Sequence, residues 1–292
     1  MKALLIHHKR AGNGAASPKA LAAAIRAAGW KVRTLARKKA DADAIAKPEA
    51  DLIVIAGGDG TVAAILAMLP DRSVPVAILP TGTANNIAGS LGIEGEPEAL
   101  VAQWDFGRRR RFDIGEAQGP WGCRCFAEGV GVGAFADSLR LVRDADGAEK
   151  LRAGRQALRA ALAAAAPLPL AVELDGSALS EDLLMAEILN VAAVGPRLAL
   201  APEADPGDGR LHAAFLREPK RRAMLDWLDA GGAGEPPVER RAGTEARVLG
   251  GGATMRIDDE WRRLEVGAEV TVRLEGEPVQ ILAPAEGPAL AG

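Results

Sequence analysis

Two glycine-rich stretches carry the residues best suited to chemistry. The first, Gly57-Gly58-Asp59-Gly60-Thr61, follows a compact apolar run from Leu52 to Ala56 and leads into an alanine-rich segment ending at Pro70. That order reads strand, tight turn, helix. Glycines let backbone N–H groups approach a ligand closely, and the turn would set them at the positive end of the following helix, where an anion gains from hydrogen bonds and dipole together. Thr61 could cap that helix or offer its hydroxyl to a phosphate. Asp59 is out of place beside phosphates unless a cation or a hydroxyl lies between, which suggests Mg²⁺ with a nucleoside triphosphate, a ribose or a reacting hydroxyl. The plain alternative is a turn into a helix with Asp59 in solvent.

The second stretch repeats the pattern. After the apolar run Val76 to Leu79 comes Pro80-Thr81-Gly82-Thr83-Ala84-Asn85-Asn86-Ile87-Ala88. Successive strand-to-helix turns of this kind place two donor-rich loops side by side at one sheet edge. The pair resembles the diacylglycerol kinase catalytic-domain family of soluble lipid kinases, which includes sphingosine kinases and is related to NAD kinases. The resemblance implies that Gly57, Gly58, Asp59, Gly60 and Thr61, with Thr81, Gly82, Thr83 and Asn85, hold the phosphates of ATP, and that Thr34 lies near the nucleotide. The chain departs from the family pattern at Ala63 and Ala64, where Asn-Glu is common, and at Asn86, where Asp is commoner. Its first loop, His8-Lys9-Arg10-Ala11-Gly12, keeps only the Ala-Gly end of the family motif.

Two later stretches bear carboxylates. In Leu200-Ala201-Pro202-Glu203-Ala204-Asp205-Pro206-Gly207-Asp208-Gly209-Arg210 the residues alone give an ordinary turn. The resemblance implies that Asp208 binds Mg²⁺ with backbone oxygens of Asp205 and Arg210. Arg256-Ile257-Asp258-Asp259-Glu260 resembles the family's Asp-Gly-Glu signature with Asp259 in place of Gly, a position where freedom to adopt positive φ would matter. The resemblance makes Glu260 the group that takes the acceptor hydroxyl's proton and Asp59 its catalytic companion near Mg²⁺. Without it, Glu260 reads as a surface carboxylate.

The elements that must carry these residues follow in order. Ser17-Pro18 opens a helix that Gly29 closes, Trp30 to Leu35 is a strand, and residues 40–48 form a short helix. Strands alternating with helices predict a three-layer, doubly wound α/β domain over residues 1–113, completed by 278–292, with ligand at the carboxyl ends of the strands. The run Gly107-Arg108-Arg109-Arg110-Arg111-Phe112 reads as a solvated connector or as a site for anionic headgroups. From about residue 114 the chain holds repeated short apolar segments, among them Phe112 to Glu116 and Cys123 to Val132, which predict a C-terminal β-sandwich domain over residues 114–277; the resemblance implies that this domain binds the lipid. Phe126-Ala127-Glu128-Gly129-Val130-Gly131-Val132-Gly133 resembles the glycine-punctuated strand that opens that domain. A helix over Glu149 to Ala166 turns Leu151, Leu158 and Leu162 to one side; its arginines could meet a membrane, although a core-facing stripe is the default.

Bulk properties bound the partners. A net charge of −3 with only 3% aromatic residues gives no basic or stacking surface for nucleic acid. No apolar run approaches the roughly 18–20 residues of a membrane span. The short apolar start ahead of His7-His8-Lys9-Arg10 is too brief for a secretion signal, so a cytoplasmic protein with peripheral contact at the inner membrane is expected. Cys123 and Cys125 alternate on one face of a strand and are expected to pack rather than bind metal. A homodimer is allowed for. The resulting expectation is an ATP- and Mg²⁺-dependent kinase for diacylglycerol or a related lipid alcohol. Its rivals are a nucleotide- or lipid-binding protein of the same fold without catalysis, and an NAD kinase-like enzyme.

Overall fold

The computed structural model describes residues 1–8, 17–47, 49–141 and 147–284. They divide into two compact units, Met1–Ile114 with Gly276–Gly292 and, between them in the chain, Gly115–Glu275.

In the first unit β1 (Lys2–His7), β2 (Lys31–Ala36), β3 (Leu52–Gly57) and β4 (Val76–Pro80) run parallel in the order β2-β1-β3-β4. β1 and β3 are almost wholly buried, which is why both read as continuous apolar runs rather than alternating ones. Ser17 caps α1 (Pro18–Ala27) by accepting the Ala20 N–H at 3.2 Å, and Gly29 turns the chain with φ 89°. α2 (Ala42–Ala46) is capped in the same way by Asp41. From β1 the chain winds outward to β2, and from β3 it winds the other way through α3 (Asp59–Leu66) to β4. Right-handed crossovers in opposite directions place helices on both faces, and the switch falls between β1 and β3. α4 (Asn86–Ser90) and α5 (Pro97–Ala102) follow.

The arginine run is not a connector. Arg109–Phe112 forms β5, paired antiparallel to a last strand, Val279–Leu282, which itself lies parallel to β4. Arg109 donates from Nε to the Phe106 carbonyl at 2.8 Å and stacks on that ring, while Phe112 is fully buried. Alternation across a sheet edge, one side wet and one side in the core, accounts for the pattern.

The second unit is built from two six-stranded sheets. One holds β6 (Gly115–Gly119), β7 (Gly122–Phe126), β9 (Leu170–Leu174), β10 (Ser177–Ala178), β14 (Glu245–Gly250) and β17 (Ala268–Leu274), in the order β10-β9-β14-β17-β6-β7. The other holds β8 (Gly129–Gly133), β11 (Leu183–Leu189), β12 (Leu211–Arg217), β13 (Glu239–Gly243), β15 (Thr254–Ile257) and β16 (Glu260–Arg263), in the order β13-β12-β11-β8-β15-β16. Every pairing is antiparallel, and one apolar cluster takes Val172, Val248, Val270 and Val272 from the first sheet and Val130, Ile188, Phe215 and Met255 from the second. The segment Cys123 to Val132, which reads as one strand, breaks into β7 and β8 around Ala127 and Glu128, so its two halves lie in different sheets. Phe112 to Glu116 likewise breaks between β5 and β6.

Among the described residues this unit has three α-helices: α6 (Ala134–Leu139), α7 (Gly147–Ala164) and α8 (Arg221–Asp229). α7 buries Ala157, Leu158 and Leu162, and one of its arginines, Arg159, is paired. Arg159 holds Asp229 at 2.6 Å, and Arg221 donates to the Leu162 and Ala165 carbonyls that end the helix. The apolar stripe of α7 faces the core. Cys123 is exposed on the sheet's edge strand and not packed as expected; Cys125 is half-buried. No described helix is long and apolar enough to cross a membrane.

Candidate functional site

β3 and β4 lie in parallel register with Gly57 beside Pro80, so the two glycine-rich turns leave the sheet from the same edge. They touch through backbone. A Cβ on Gly82 would stand 2.3 Å from the Gly58 Cα, and one on Gly58 would stand 3.0 Å from the Gly82 Cα. Neither position admits a side chain without moving the other turn. The Thr81 N–H donates to the Gly57 carbonyl at 3.0 Å, and the Thr61 side chain folds back over Gly57, where an added Cβ would lie 2.6 Å from the Thr61 Cβ.

Gly58, not Thr61, is the N-cap of α3, and no side chain caps the helix there. Thr61 sits inside the first turn. The second turn is closed by Asn85, whose backbone is left-handed at φ 56°. Its Oδ1 accepts the Gly82 N–H at 2.9 Å and its Nδ2 donates to the Gly82 carbonyl at 3.1 Å. Asparagine is the side chain that best tolerates such a backbone, through local hydrogen bonds of this kind. Beside this pair the Thr81 hydroxyl is buried without a hydrogen-bond partner. A shared backbone surface, an uncapped helix start and an orphaned hydroxyl suit the oxygens of a phosphate.

Asp59 is drawn into the protein rather than left in solvent. Its Oδ1 accepts the Ile87 N–H at 3.0 Å, so the carboxylate of the first turn caps α4 behind the second. Burial pushes its carboxyl above the usual range, and the backbone donors of Ile87, Asn86 and Asn85 pull it partly back. This tie gives Asp59 a structural role that the sequence did not suggest: it locks the two turns together.

Thr34 is not brought to the turn pair. It is exposed on edge strand β2, level with Leu5 and hence with Val54, one strand beyond β1 and well short of Gly57. β2 continues to Ala36, so the carboxyl edge lies beyond Thr34. In the first loop, Lys9, Arg10, Ala11 and Gly12 lie outside the described residues. Ala63 is buried in α3 and packs.

In the second unit Asp208 ends a turn before β12. Its Oδ1 accepts the Arg210 N–H at 2.8 Å and its Oδ2 meets His212 Nε2 at 3.0 Å. Asp205 accepts the Gly207 N–H at 3.0 Å through its side chain and the Asp208 N–H at 3.1 Å through its carbonyl. One oriented carboxylate beside backbone oxygens is a partial shell for a hard cation that keeps its waters. Among the described residues no three His, Cys, Asp or Glu side chains gather as a metal cluster.

Glu260 opens β16, directly after the hairpin turn Asp258-Asp259. Its side chain is 73% exposed and meets Arg262 Nη2 at 3.2 Å. The position that needs left-handed backbone is Asp258, with φ 50°, not Asp259, so the family's missing glycine at 259 leaves the turn intact. Sequence reasoning missed the residues beneath this hairpin. The Asp258 carboxylate accepts the consecutive N–H groups of Ala127, Glu128 and Gly129. Arg256 and Glu187, both fully buried, pair at 2.6 Å, with the guanidinium 4.9 Å from the Phe135 ring centroid. Gly131 makes the room, since a Cβ there would stand 2.1 Å from a Glu187 carboxylate oxygen. An arginine between apolar residues of a strand, and glycines at alternate positions of β8, were the available signals.

Comparison with known proteins agrees with this architecture. The family model described as the diacylglycerol kinase catalytic domain matches residues 2–117. The chain is 30% identical over 292 residues to the "Probable lipid kinase YegS-like" of Pseudomonas fluorescens, covering 96% of this chain and 89% of that one. It is also 30% identical over 181 residues to the diacylglycerol kinase of Mycobacterium tuberculosis, but that match spans only 60% of this chain and 58% of the relative's length. Among solved structures, a diacylglycerol kinase from Bacillus anthracis str. Sterne superposes with a TM-score of 0.65 at 17% identity, covering 97% of each chain. An NAD kinase from Archaeoglobus fulgidus in complex with ATP reaches 0.52 at 16% identity, covering 98% of this chain and 94% of that one. At such identities these two speak for the fold.

Proposed function

The chain belongs to the diacylglycerol kinase catalytic-domain family of lipid kinases, and from that premise we propose that it transfers the γ-phosphoryl group of ATP to the hydroxyl of diacylglycerol or a related lipid alcohol. The observation that carries the nucleotide half is the backbone contact of Gly58 with Gly82, which merges two donor-rich turns into one surface beside the unpartnered Thr81 hydroxyl. On this reading the turns Gly57 to Thr61 and Thr81 to Asn85 hold the phosphates through those backbone N–H groups that the turns do not themselves use and through the Thr81 hydroxyl, while Asp59 and Asn85 keep the turns in place.

Glu260 takes the proton of the acceptor hydroxyl. The acceptor oxygen bonds to the γ-phosphorus as the bond to the bridging oxygen of ADP breaks, so charge stays on ADP and the proton on Glu260. Exposure suits this task, because an incoming hydroxyl must reach the carboxylate. Asp208, with the backbone oxygens of Asp205 and Arg210, would hold Mg²⁺, a cation that neutralises phosphate charge in phosphoryl transfer. The lipid is drawn from a membrane surface by peripheral contact.

A second reading, a binding protein of the same fold without catalysis, draws on the engagement of Asp59 with α4 and on alanine at 63 and 64. Phosphate transfer from labelled Mg-ATP to a panel of lipid alcohols in mixed micelles, with NAD as a control acceptor, separates the readings. Label in one lipid, lost in Glu260→Gln, supports the kinase and names its substrate. Label in NAD moves the chain to the NAD kinase branch. ATP binding without transfer to any acceptor leaves the binding protein.

A further inference from the structure

We infer that Asp258 positions Glu260, a role that rests on the reading of Glu260 as proton acceptor. The two residues share one hairpin: Ile257 pairs with Glu260, and Asp258-Asp259 form the turn between them. Asp258 takes a positive φ of 50°, a backbone conformation that Gly, Asn and Asp adopt more readily than other residues.

At an ordinary hairpin tip such an aspartate faces solvent. Here its carboxylate folds inward. Oδ1 accepts the Glu128 N–H at 2.8 Å and the Gly129 N–H at 3.2 Å, and Oδ2 accepts the Ala127 N–H at 3.0 Å. Its backbone is held as well: the Asp258 N–H donates to the Gly129 carbonyl at 2.9 Å, and Arg256 Nη1 donates to the Asp258 carbonyl at 2.8 Å.

The receiving segment is itself fixed from the other side. Asn190 donates from Nδ2 to the Ala127 carbonyl at 3.1 Å and from its N–H to the Glu128 carbonyl at 2.9 Å. Arg256 is anchored in turn by Glu187 in the space that Gly131 leaves. The tip is therefore tied to the sheet interior through side chain, amide and carbonyl at one residue.

Glu260 has no comparable support of its own. Its side chain has the Arg262 contact and is otherwise open to solvent. The place of its carboxylate is set by the backbone that leads into it, and that backbone is set by Asp258. Misplacing a reacting group by about 1 Å costs on the order of a hundredfold in rate.

A double-mutant cycle tests this. Phosphoryl transfer is measured for the wild type, Asp258→Gly, Glu260→Gln and the double variant, together with thermal unfolding of each. Asp258→Gly keeps the left-handed turn position and deletes the clamp. The expected result is a fall in kcat of about tenfold to a hundredfold with the KM for ATP unchanged. In the Glu260→Gln background the same change costs under about twofold, because displacing a group already disabled loses nothing further. Asp258→Asn keeps an acceptor oxygen, recovers part of the loss, and carries the cycle if the glycine variant fails to fold.

Asp258→Gly with kcat close to wild type overturns the inference while an inactive Glu260→Gln leaves the kinase reading standing. Equal losses in both backgrounds overturn it too, by making the clamp purely structural. Full activity in Glu260→Gln alone removes the acceptor role and this inference with it, a result visible in that single variant.

Discussion

Gly58 and Gly82, on different turns and 24 positions apart by their numbers, meet so closely that a methyl group on Gly82 would lie 2.3 Å from the Gly58 Cα. Gly82→Ala must push the second turn off the first. Overpacking of this kind costs about 1–3 kcal/mol, and if both turns bind the nucleotide as proposed, ATP binding should weaken at least as much. Gly89→Ala is the control: nothing lies within 4 Å of a Cβ there, in the same short helix that the turn feeds, and a gain of about 0.5–1 kcal/mol is expected. Denaturant unfolding with an ATP titration checks both, and a Gly82→Ala protein with wild-type affinity and stability would refute the contact.

Asp59→Ala removes the acceptor of the Ile87 N–H and should cost about 0.5–2 kcal/mol, as other lost helix caps do. Asp59→Asn keeps an oxygen there and isolates the charge. Burial raises the folded-state carboxyl above its unfolded value of about 3.9. A raised value means that stability from this group is complete below the unfolded pKa and is lost as pH rises through the folded one. Asp59→Asn should therefore gain on the wild type as pH climbs from about 4 and level off once the folded carboxyl has ionised. Unfolding measured across that range decides it; a difference that shrinks with rising pH would contradict the sign.

Glu187→Gln leaves the Arg256 guanidinium buried without its counter-charge, which costs about 3–5 kcal/mol. Replacing both residues by methionine removes the stranded charge and should restore most of that loss. Gly131→Ala should resemble the single variant, because its methyl group would displace the carboxylate. Thermal melts of the wild type, Glu187→Gln, Gly131→Ala and the double-methionine variant give the answer, and a double variant no more stable than Glu187→Gln would contradict the stranded-charge account.

Asp208 offers a test of the cation reading that does not depend on turnover. If Mg²⁺ binds there in the folded state, unfolding free energy rises with its concentration, by about 2.7 kcal/mol at a hundred times Kd. Asp208→Asn should abolish that rise while keeping the His212 contact within reach. A Mg²⁺-induced shift that survives in Asp208→Asn would place the cation elsewhere.

Much of the first unit was legible in the sequence, because its signals are local. Apolar runs broken by Gly57-Gly58 and by Gly82, the Ser17-Pro18 helix start and the order of strands and helices each depend on neighbours within a few positions. The paired turns and the resemblance they carry followed from those residues alone. So did the prospect of a strand-rich second unit.

What only the tertiary structure decided concerns partners far apart in the chain. That Asp59 ties the two turns together is visible only once Ile87 is seen to donate to it. Asp258 looks like a spare acid of a turn until the amides of Ala127, Glu128 and Gly129 converge on it. The arginines of β5 read as a connector until Val279–Leu282 returns to pair with them. Local patterning shows which residues form a strand or a turn. Whether a charge is solvated, buried or clamped depends on which distant backbone comes to rest beside it, and packing settles that.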